Sequence, residues 1–527
     1  MRFKFLFISF FITIINYSQQ LSLDTTYANE GINNTGLQSY DTYTGSGLGI
    51  SNSPFFMADN SILMPYTLNP YYSTQSVNLA PTIGIRKYLE NGTLDSTFGT
   101  DGTALIQSNF YRDRFEVYGV NTDANGRIIL VGRKYTIGVF SRDYEVFVCR
   151  LNANGTKDTT FANNGFFISN LYYENSADTN DERLFDVIID SQNRVIAVGY
   201  IYWDIGVNLY DGAATAIRFL ENGTLDTTFA NNGIFQLSVT GVDLFSSVYQ
   251  STNNSLLLFG STSPSNSQLL VTKIDSNGVL DTSFGTNGSA TVDFGGNTSA
   301  MKIFFESDNS MMLTGQRLSS GVAFAKLTEN GILDTTFSTD GKNISVITIP
   351  NHESVGAASY PGIGAKHIDK LPDGKYIILA TVRTGNLYNY SIVRLNADST
   401  RDNTFMTNGV YLNDIAAFDW ARAVHVQNDG KLVVLVGSTL FKYQNFSVLN
   451  NQDVTFQNLK FYPNPTNGFL YFDFTVKQVW VTDISGKTLA RYENVEKIDF
   501  SHYSKGIYFL KIINEIGVNV VTKVVKQ

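Results

Sequence analysis

The chain has 527 residues, of which 16% are charged and 13% aromatic, with 43 Gly, 10 Pro and a formal net charge of −9. That acidic balance, with no Lys/Arg cluster set against it, excludes nucleic acid as the partner, because phosphate recognition needs a basic face. The length allows several ordinary domains or one large repeat architecture, and low charge with many β-branched and aromatic residues points to an all-β protein.

At the N-terminus, Arg2 and Lys4 precede the apolar run FLFISFFITII (5–15), which is too short to cross a bilayer. Residues 1–19 are therefore expected to be a signal peptide, cut near Ser18 to Gln20, with a buried N-terminal strand as the alternative. No later apolar run is long enough to span, so no membrane span is expected.

From residue 21 a phrase recurs that is clearest as NGTLDTTFANNG (222–233) and NGTLDSTFGTDG (91–102). Its aspartates are Asp24, Asp95, Asp158, Asp226, Asp281, Asp334 and Asp402, six intervals averaging 63 residues. An aromatic follows each at a fixed offset: Tyr27, Phe98, Phe161, Phe229, Phe284, Phe337 and Phe405. A glycine follows that: Gly31, Gly102, Gly165, Gly233, Gly288, Gly341 and Gly409.

Alternating with it is a turn followed by an apolar run, as in NGRIILVG (125–132), NRVIAVG (193–199) and DGKLVVLVG (429–437). Asn-Gly or Asp-Gly between apolar runs signals a hairpin. Each unit thus reads as four antiparallel strands. Residues 20–452 are expected to form a seven-bladed β-propeller of four-stranded blades, because units of this size cannot each bury a core alone. A string of small domains or an open solenoid would be the alternatives. The first phrase should dock behind the last strand, near NFSVLN (445–450), and lock the ring. The phrase itself is expected to end one blade and start the next.

These residues resemble the delta-60 repeat of bacterial surface and secreted proteins, over residues 21 to about 450. The first and seventh units depart furthest, with Tyr27 in place of Phe and DSTRDNTF (398–405) lacking Asn-Gly and Leu. The resemblance implies a propeller-like fold and export, and no defined catalytic activity.

After NNQDV (450–454) the repeat stops, and residues 453–527 are expected to form a small β-sandwich. FYPNPTNG (461–468), then DISGK, KGIYFLKI and the terminal VVTKVVKQ, resembles the type A sorting domain of the type IX secretion system. That resemblance implies passage through the periplasm and across an outer membrane, with the type IX machinery as partner and a secreted or outer-surface destination.

Chemistry is sparse. The seven repeated aspartates are expected to cap turns by accepting backbone N–H groups, with the aromatic plugging the gap between blades. Ca²⁺ is the competing reading, although the spacing lacks a D-x-D-x-D loop. Asp-Thr-Thr also resembles a bacterial O-glycan acceptor, which burial between blades would close off. Asp113, Asp181, Asp243 and Asp419 recur at a second position, read as a structural cap or channel lining rather than a catalytic pair. Cys149 reads as a buried, inert thiol, and His352, His367, His425 and His502 are too scattered for zinc.

The connections opposite the repeated phrase vary and carry aromatics: Tyr66, Tyr71 and Tyr72; Tyr200, Tyr202, Trp203 and Tyr210; Tyr388 and Tyr390; Phe441 and Tyr443. They form either a recognition face or packing for the strands. With the first alternative, Tyr200, Tyr202, Trp203, Tyr210, Tyr388 and Tyr390 are the candidate ligand-binding residues. The sequence then reads as an exported monomeric binding or adhesion module for polysaccharide or a surface protein, without a cofactor. A polysaccharide lyase or hydrolase working at the channel, and a structural surface component, are the alternatives.

Overall fold

A computed structural model describes residues 21–35, 49–50, 54–68, 82–107, 113–136, 144–169, 171, 181–206, 209–239, 243–262, 267–317, 321–347, 364–384, 387–413, 420–444, 461–484, 487–513 and 519–527. The expected signal peptide lies outside them, as do Tyr71, Tyr72, His352 and Asp419. The chain separates into two compact units, Met1–Phe446 and Ser447–Gln527. No helix among the described residues is long and apolar enough to cross a membrane.

Among the described residues the first unit holds seven antiparallel sheets, one per repeat. Blades 2 to 6 each take four consecutive strands, spanning 113–169, 181–237, 244–292, 298–345 and 364–413. In blade 1 (49–107) Gly49–Ile50 and Phe55–Phe56 both pair with Ile62–Leu68 on the side of the first strand. Blade 7 takes three strands from 421–443 and its fourth from the other end of the chain: Ile32–Asn34 pairs antiparallel with Thr439–Tyr443, Ile32 opposite Phe441. The N-terminal segment closes the ring, pairing with Thr439–Tyr443; the stretch NFSVLN (445–450), expected to be the last strand, lies outside the described residues.

Closure is also visible in the cores. Strands rich in Val, Ile and Leu on both faces bury both faces of each blade, and seven apolar clusters form, one at each junction between neighbours. One joins blades 1 and 2 around Ile83, Phe98 and Phe147, and another joins 2 and 3 around Val148, Phe161 and Ile217. The cluster of Tyr27, Ile62, Met64, Val433 and Leu440 joins blade 7 back to blade 1. Cys149 sits in the first of these, fully buried, and burial pushes its thiol pKa up.

First strands of neighbouring blades bond to each other, which places them around the ring axis. Asn121 Nδ2 donates to Val187 O at 2.9 Å, Val248 N to Asp186 Oδ2 at 3.0 Å, Ile303 N to Tyr249 Oη at 3.1 Å and Val426 N to Asp369 Oδ2 at 2.8 Å. In blades 2 to 7 this inner strand breaks register at one equivalent point, leaving Tyr118, Phe185, Ser246, Met301, Lys366 and Arg422 as the extra residues. A bulge bends a strand and re-aims a side chain, so the axis is ringed by residues that the repeat does not constrain.

The burial of Asp186 has a consequence for stability. Burial raises its carboxyl to about 6, against hydrogen bonds from the Val248 and Val187 amides. A carboxyl raised in the folded state favours folding below its unfolded value, and that contribution fades as pH climbs to the folded pKa. Asp186→Asn should therefore gain about 1–3 kcal/mol relative to wild type between pH 4 and pH 7. Urea unfolding at the two pH values checks it, and a pH-independent difference would refute it.

The tail is built from Phe461–Tyr462, Phe469–Thr482, Thr488–Asp499, Gly506–Ile513 and Asn519–Lys526, joined in one antiparallel sheet. Its long second strand breaks register between Tyr471 and Val476. Thr488–Asp499 pairs with both halves, while on the other side Phe461–Tyr462 pairs with the first half and Gly506–Ile513 with the second. The strands lie over one core of Leu470, Phe472, Val479, Val481, Phe500, Leu510, Ile512 and Val524.

Candidate functional site

The repeated phrase lies between the third and fourth strands of a single blade, so it does not end one blade and begin the next. Residues 222–233, for example, connect Leu209–Phe219 to Ile234–Leu237, which pair with each other. It joins blades by contact instead. Ala230 N donates to Asn277 O in the next copy at 2.7 Å, and the same bond runs from Ala28 to Asn91, Gly99 to Asn154, Ala162 to Asn222 and Gly285 to Asn330. The aromatic lies under the next copy's turn: a Cβ on Gly223 would meet the Phe161 ring at 2.8 Å, at a φ of +82° that already disfavours other residues.

All seven aspartates cap that turn. In each, Oδ1 accepts both the backbone N–H and the hydroxyl of the residue two positions on, as Thr228 N at 3.1 Å and Thr228 Oγ1 at 2.6 Å do on Asp226. The other oxygen faces a cation. Six copies take Lys or Arg eight residues upstream: Lys87, Arg150, Arg218, Lys273, Lys326 and Arg394, at 2.7–3.1 Å. Asp24 takes Lys431 from blade 7 at 2.9 Å. Burial alone would raise the Asp402 carboxyl, but bonds from Lys375 and Thr404 and the Arg394 charge outweigh it and hold it at about 2. Such carboxylates are committed to turn and cation. The Thr residues beside them are exposed, so the expectation that burial would close off the Asp-Thr-Thr hydroxyls is corrected.

The second carboxylate set sits at the inner-strand starts, at the end where the variable connections emerge. Asp113 faces Lys134 at 3.6 Å, and Asp243 accepts from Val239 N. The three described members stay in separate blades and do not converge. Among the described residues no three His, Cys, Asp or Glu side chains gather as metal ligands.

Asp181 differs because blade 2 reaches across to it. Arg133 donates to Glu116 in its own blade at 2.7 Å and to Asp181 of blade 3 at 2.9 Å. Arg183 (2.6 Å) and Tyr200 Oη (3.0 Å) complete the Asp181 shell, and Tyr118 donates to Glu116. Burial opposes ionisation of Asp181, but the hydrogen bond and charge of Arg183 and the Arg133 charge keep its pKa below the usual value. Burial raises the Tyr200 and Tyr118 hydroxyls, which keeps both protonated. The Arg133 guanidinium stands 4.4 Å from the Tyr144 ring centre and 5.8 Å from that of Tyr135, and Tyr118, Phe185 and Tyr200 follow one another at 5.5 and 5.7 Å. A carboxylate locked between guanidiniums suits hydrogen-bond acceptance better than proton donation. The rings offer half-buried aromatic surface beside it.

The other described aromatics that the sequence singles out are placed on strands rather than loops. Tyr202 is half-buried opposite Asp181. Trp203 and Tyr210 lie on the long hairpin Val195–Gly206 and Leu209–Phe219, their side chains outside the described residues. Tyr388 stacks on Trp420 at 4.4 Å. Tyr390 is a correction: it is fully buried between blades 6 and 7, its hydroxyl 2.6 Å from that of Tyr443 and accepting from Asn413 at 2.7 Å. Tyr66, Phe441 and Tyr443 are core residues too. Arg133, Tyr135, Tyr144 and Glu116 were not legible as site residues, because nothing in their spacing shows that blade 2 bends towards Asp181.

Two family models match parts of the chain. Residues 460–527 match the family described as a secretion system C-terminal sorting domain. Residues 124–161 and 371–405 match a β-propeller described as domain of unknown function DUF5122. No curated protein matches the chain in sequence. Among solved structures, a protein of unknown function from Dyadobacter fermentans is 11% identical, covering 68% of this chain and 97% of its own, with a TM-score of 0.41. A glucose dehydrogenase is 10% identical, covering 76% of this chain and 100% of its own, with a TM-score of 0.29. Likenesses this distant carry no argument about activity.

Proposed function

We propose that this chain, a DUF5122-type β-propeller with a secretion sorting tail that marks it as secreted or cell-surface, acts as a monomeric binding module for polysaccharide. The observation that supports the reading is the cluster at blades 2 and 3. Aromatic rings, two guanidiniums and two carboxylates meet there at the end opposite the repeated turns. Aromatic faces with fixed hydrogen-bonding groups beside them suit a hydroxylated ring, which presents an apolar face and a polar rim. The repeated aspartates offer nothing comparable, since each is consumed by its turn and its cation.

The test is a glycan array read together with reducing-sugar release on the full chain. Binding without turnover is expected, and Tyr144→Ala or Trp203→Ala should weaken it roughly tenfold or more. Turnover abolished by Asp181→Asn would favour the lyase or hydrolase reading. Silence in both assays would leave adhesion through a surface protein, or a structural role.

A further inference from the structure

The repeated phrase carries hydroxyls at three positions, and bonds explain two of them. The hydroxyl two residues after each aspartate is held by that aspartate's Oδ1 at 2.5–2.7 Å in all seven copies. The one two residues before it bonds the Asn or Asp of the preceding turn in four copies, as Thr93 does Asn91 at 2.7 Å. In the fifth and sixth copies drift has put Val279 and Ile332 there, both exposed. An exposed position of this phrase does not keep a hydroxyl unless something asks for it.

The third position departs from that pattern. Directly after the aspartate stand Thr25, Ser96, Thr159, Thr227, Thr282 and Thr335, all exposed, with Asn403 in the remaining copy. Among the described residues none of these six hydroxyls makes a hydrogen bond. The cap takes nothing from them, yet six of the seven copies keep an oxygen there. Each is also presented in one geometry: the carboxylate before it is fixed by turn and cation, and a positive-φ glycine closes the phrase.

An exposed, unbonded hydroxyl in a fixed turn is what an acceptor for a transferred group requires. Phosphate suits it poorly, because it sets a second negative group beside the aspartate in a chain of net charge −9. An acyl chain would add apolar surface to an exposed turn. A sugar adds neutral, well-hydrated hydroxyls.

We propose that the residue following each repeated aspartate is a modification site, its Oγ accepting an O-linked sugar in the six copies that carry a hydroxyl. The donor is a sugar activated through phosphate at its anomeric carbon. The bond from that carbon to the phosphate breaks, the phosphate leaves with the electron pair, and the carbon bonds Oγ. The hydroxyl proton passes to a base of the transferase, since the neighbouring aspartate is already spent on its turn and its cation. These turns lie at the end opposite the aromatic cluster, so the sugars leave that cluster uncovered whatever it binds.

Peptide mass mapping of the full chain, recovered from outside the cell that exports it, tests this. Sugar increments are expected on the six residues and not on Thr26, Thr228 or Asn403, and mild alkaline elimination should remove them. Thr227→Val should lose one increment and keep its melting temperature, because no hydrogen bond is broken. Peptides of unmodified mass, phosphate in place of sugar, or sugar on the hydroxyls two residues after the aspartates would each overturn the proposal. So would a Thr227→Val chain that keeps every increment.

Discussion

A chain ended after residue 460 accumulates in the periplasm, while the full chain reaches the surface or the medium. The sorting family matches 460–527, and the described core of this tail is its own: every member of the cluster around Leu470, Val479 and Phe500 comes from residues 461–524. Truncation there removes a self-contained unit, and the ring loses none of its seven apolar junctions or its closing strand at 32–34. The truncated protein should thus stay folded but undelivered. Fractionation with immunoblotting reads delivery, and protease resistance of the periplasmic form reads folding. Unchanged appearance outside the cell would refute the sorting role. A truncated chain that is degraded is distinguished by grafting 461–527 onto an unrelated exported protein, which should then leave the cell.

Why the ring and the tail could be read from sequence while the mouth could not follows from what repeats. The cap needs an oxygen from Asp, a small hydroxyl two residues on, an aromatic and a positive-φ glycine, and geometry demands them in every blade, so the offsets survive drift. The cation was missed because its identity alternates between Lys and Arg, and for Asp24 it is Lys431, from the far end of the sequence. Tyr390 looked like a surface aromatic because its burial depends on a hydroxyl partner, Tyr443, in the next blade. The bulges had no signal at all. Their extra residues range from Ser246 to Arg422, since a bulge constrains backbone and leaves the side chain free to differ. What varies around the axis is therefore what distinguishes one blade from another, and site residues such as Arg133 and Asp181 meet only because two such strands face each other.

Loss of Arg218 is expected to be strongly damaging to the scaffold. Its guanidinium bonds Asp226 at 2.8 Å, reaches Ser276 O in the next blade and stands 4.5 Å from the centre of the Phe229 ring, with its side chain 1% exposed. Burial works against ionisation of Asp226, but Thr228 and Arg218 outweigh it and hold the carboxyl below its usual range. Arg218→Ala leaves that buried carboxylate with only the more distant Arg194, at 3.9 Å, and empties the space over the ring, so a loss of at most about 3–5 kcal/mol is expected. Lys326 and Asp334 occupy the same positions of the repeat with side chains 26% and 18% exposed, and Lys326→Ala should cost only about 0–1 kcal/mol. Urea unfolding of the full chain, followed by tyrosine and tryptophan fluorescence, measures both. In Arg218→Ala/Asp226→Asn the poorly compensated charge is gone, so part of the loss should return. If the two single variants were equally stable, burial would not be what sets the strength of the pair. If the double variant fell as far as Arg218→Ala, the damage would lie in the lost contacts with Ser276 and Phe229 rather than in the stranded carboxylate.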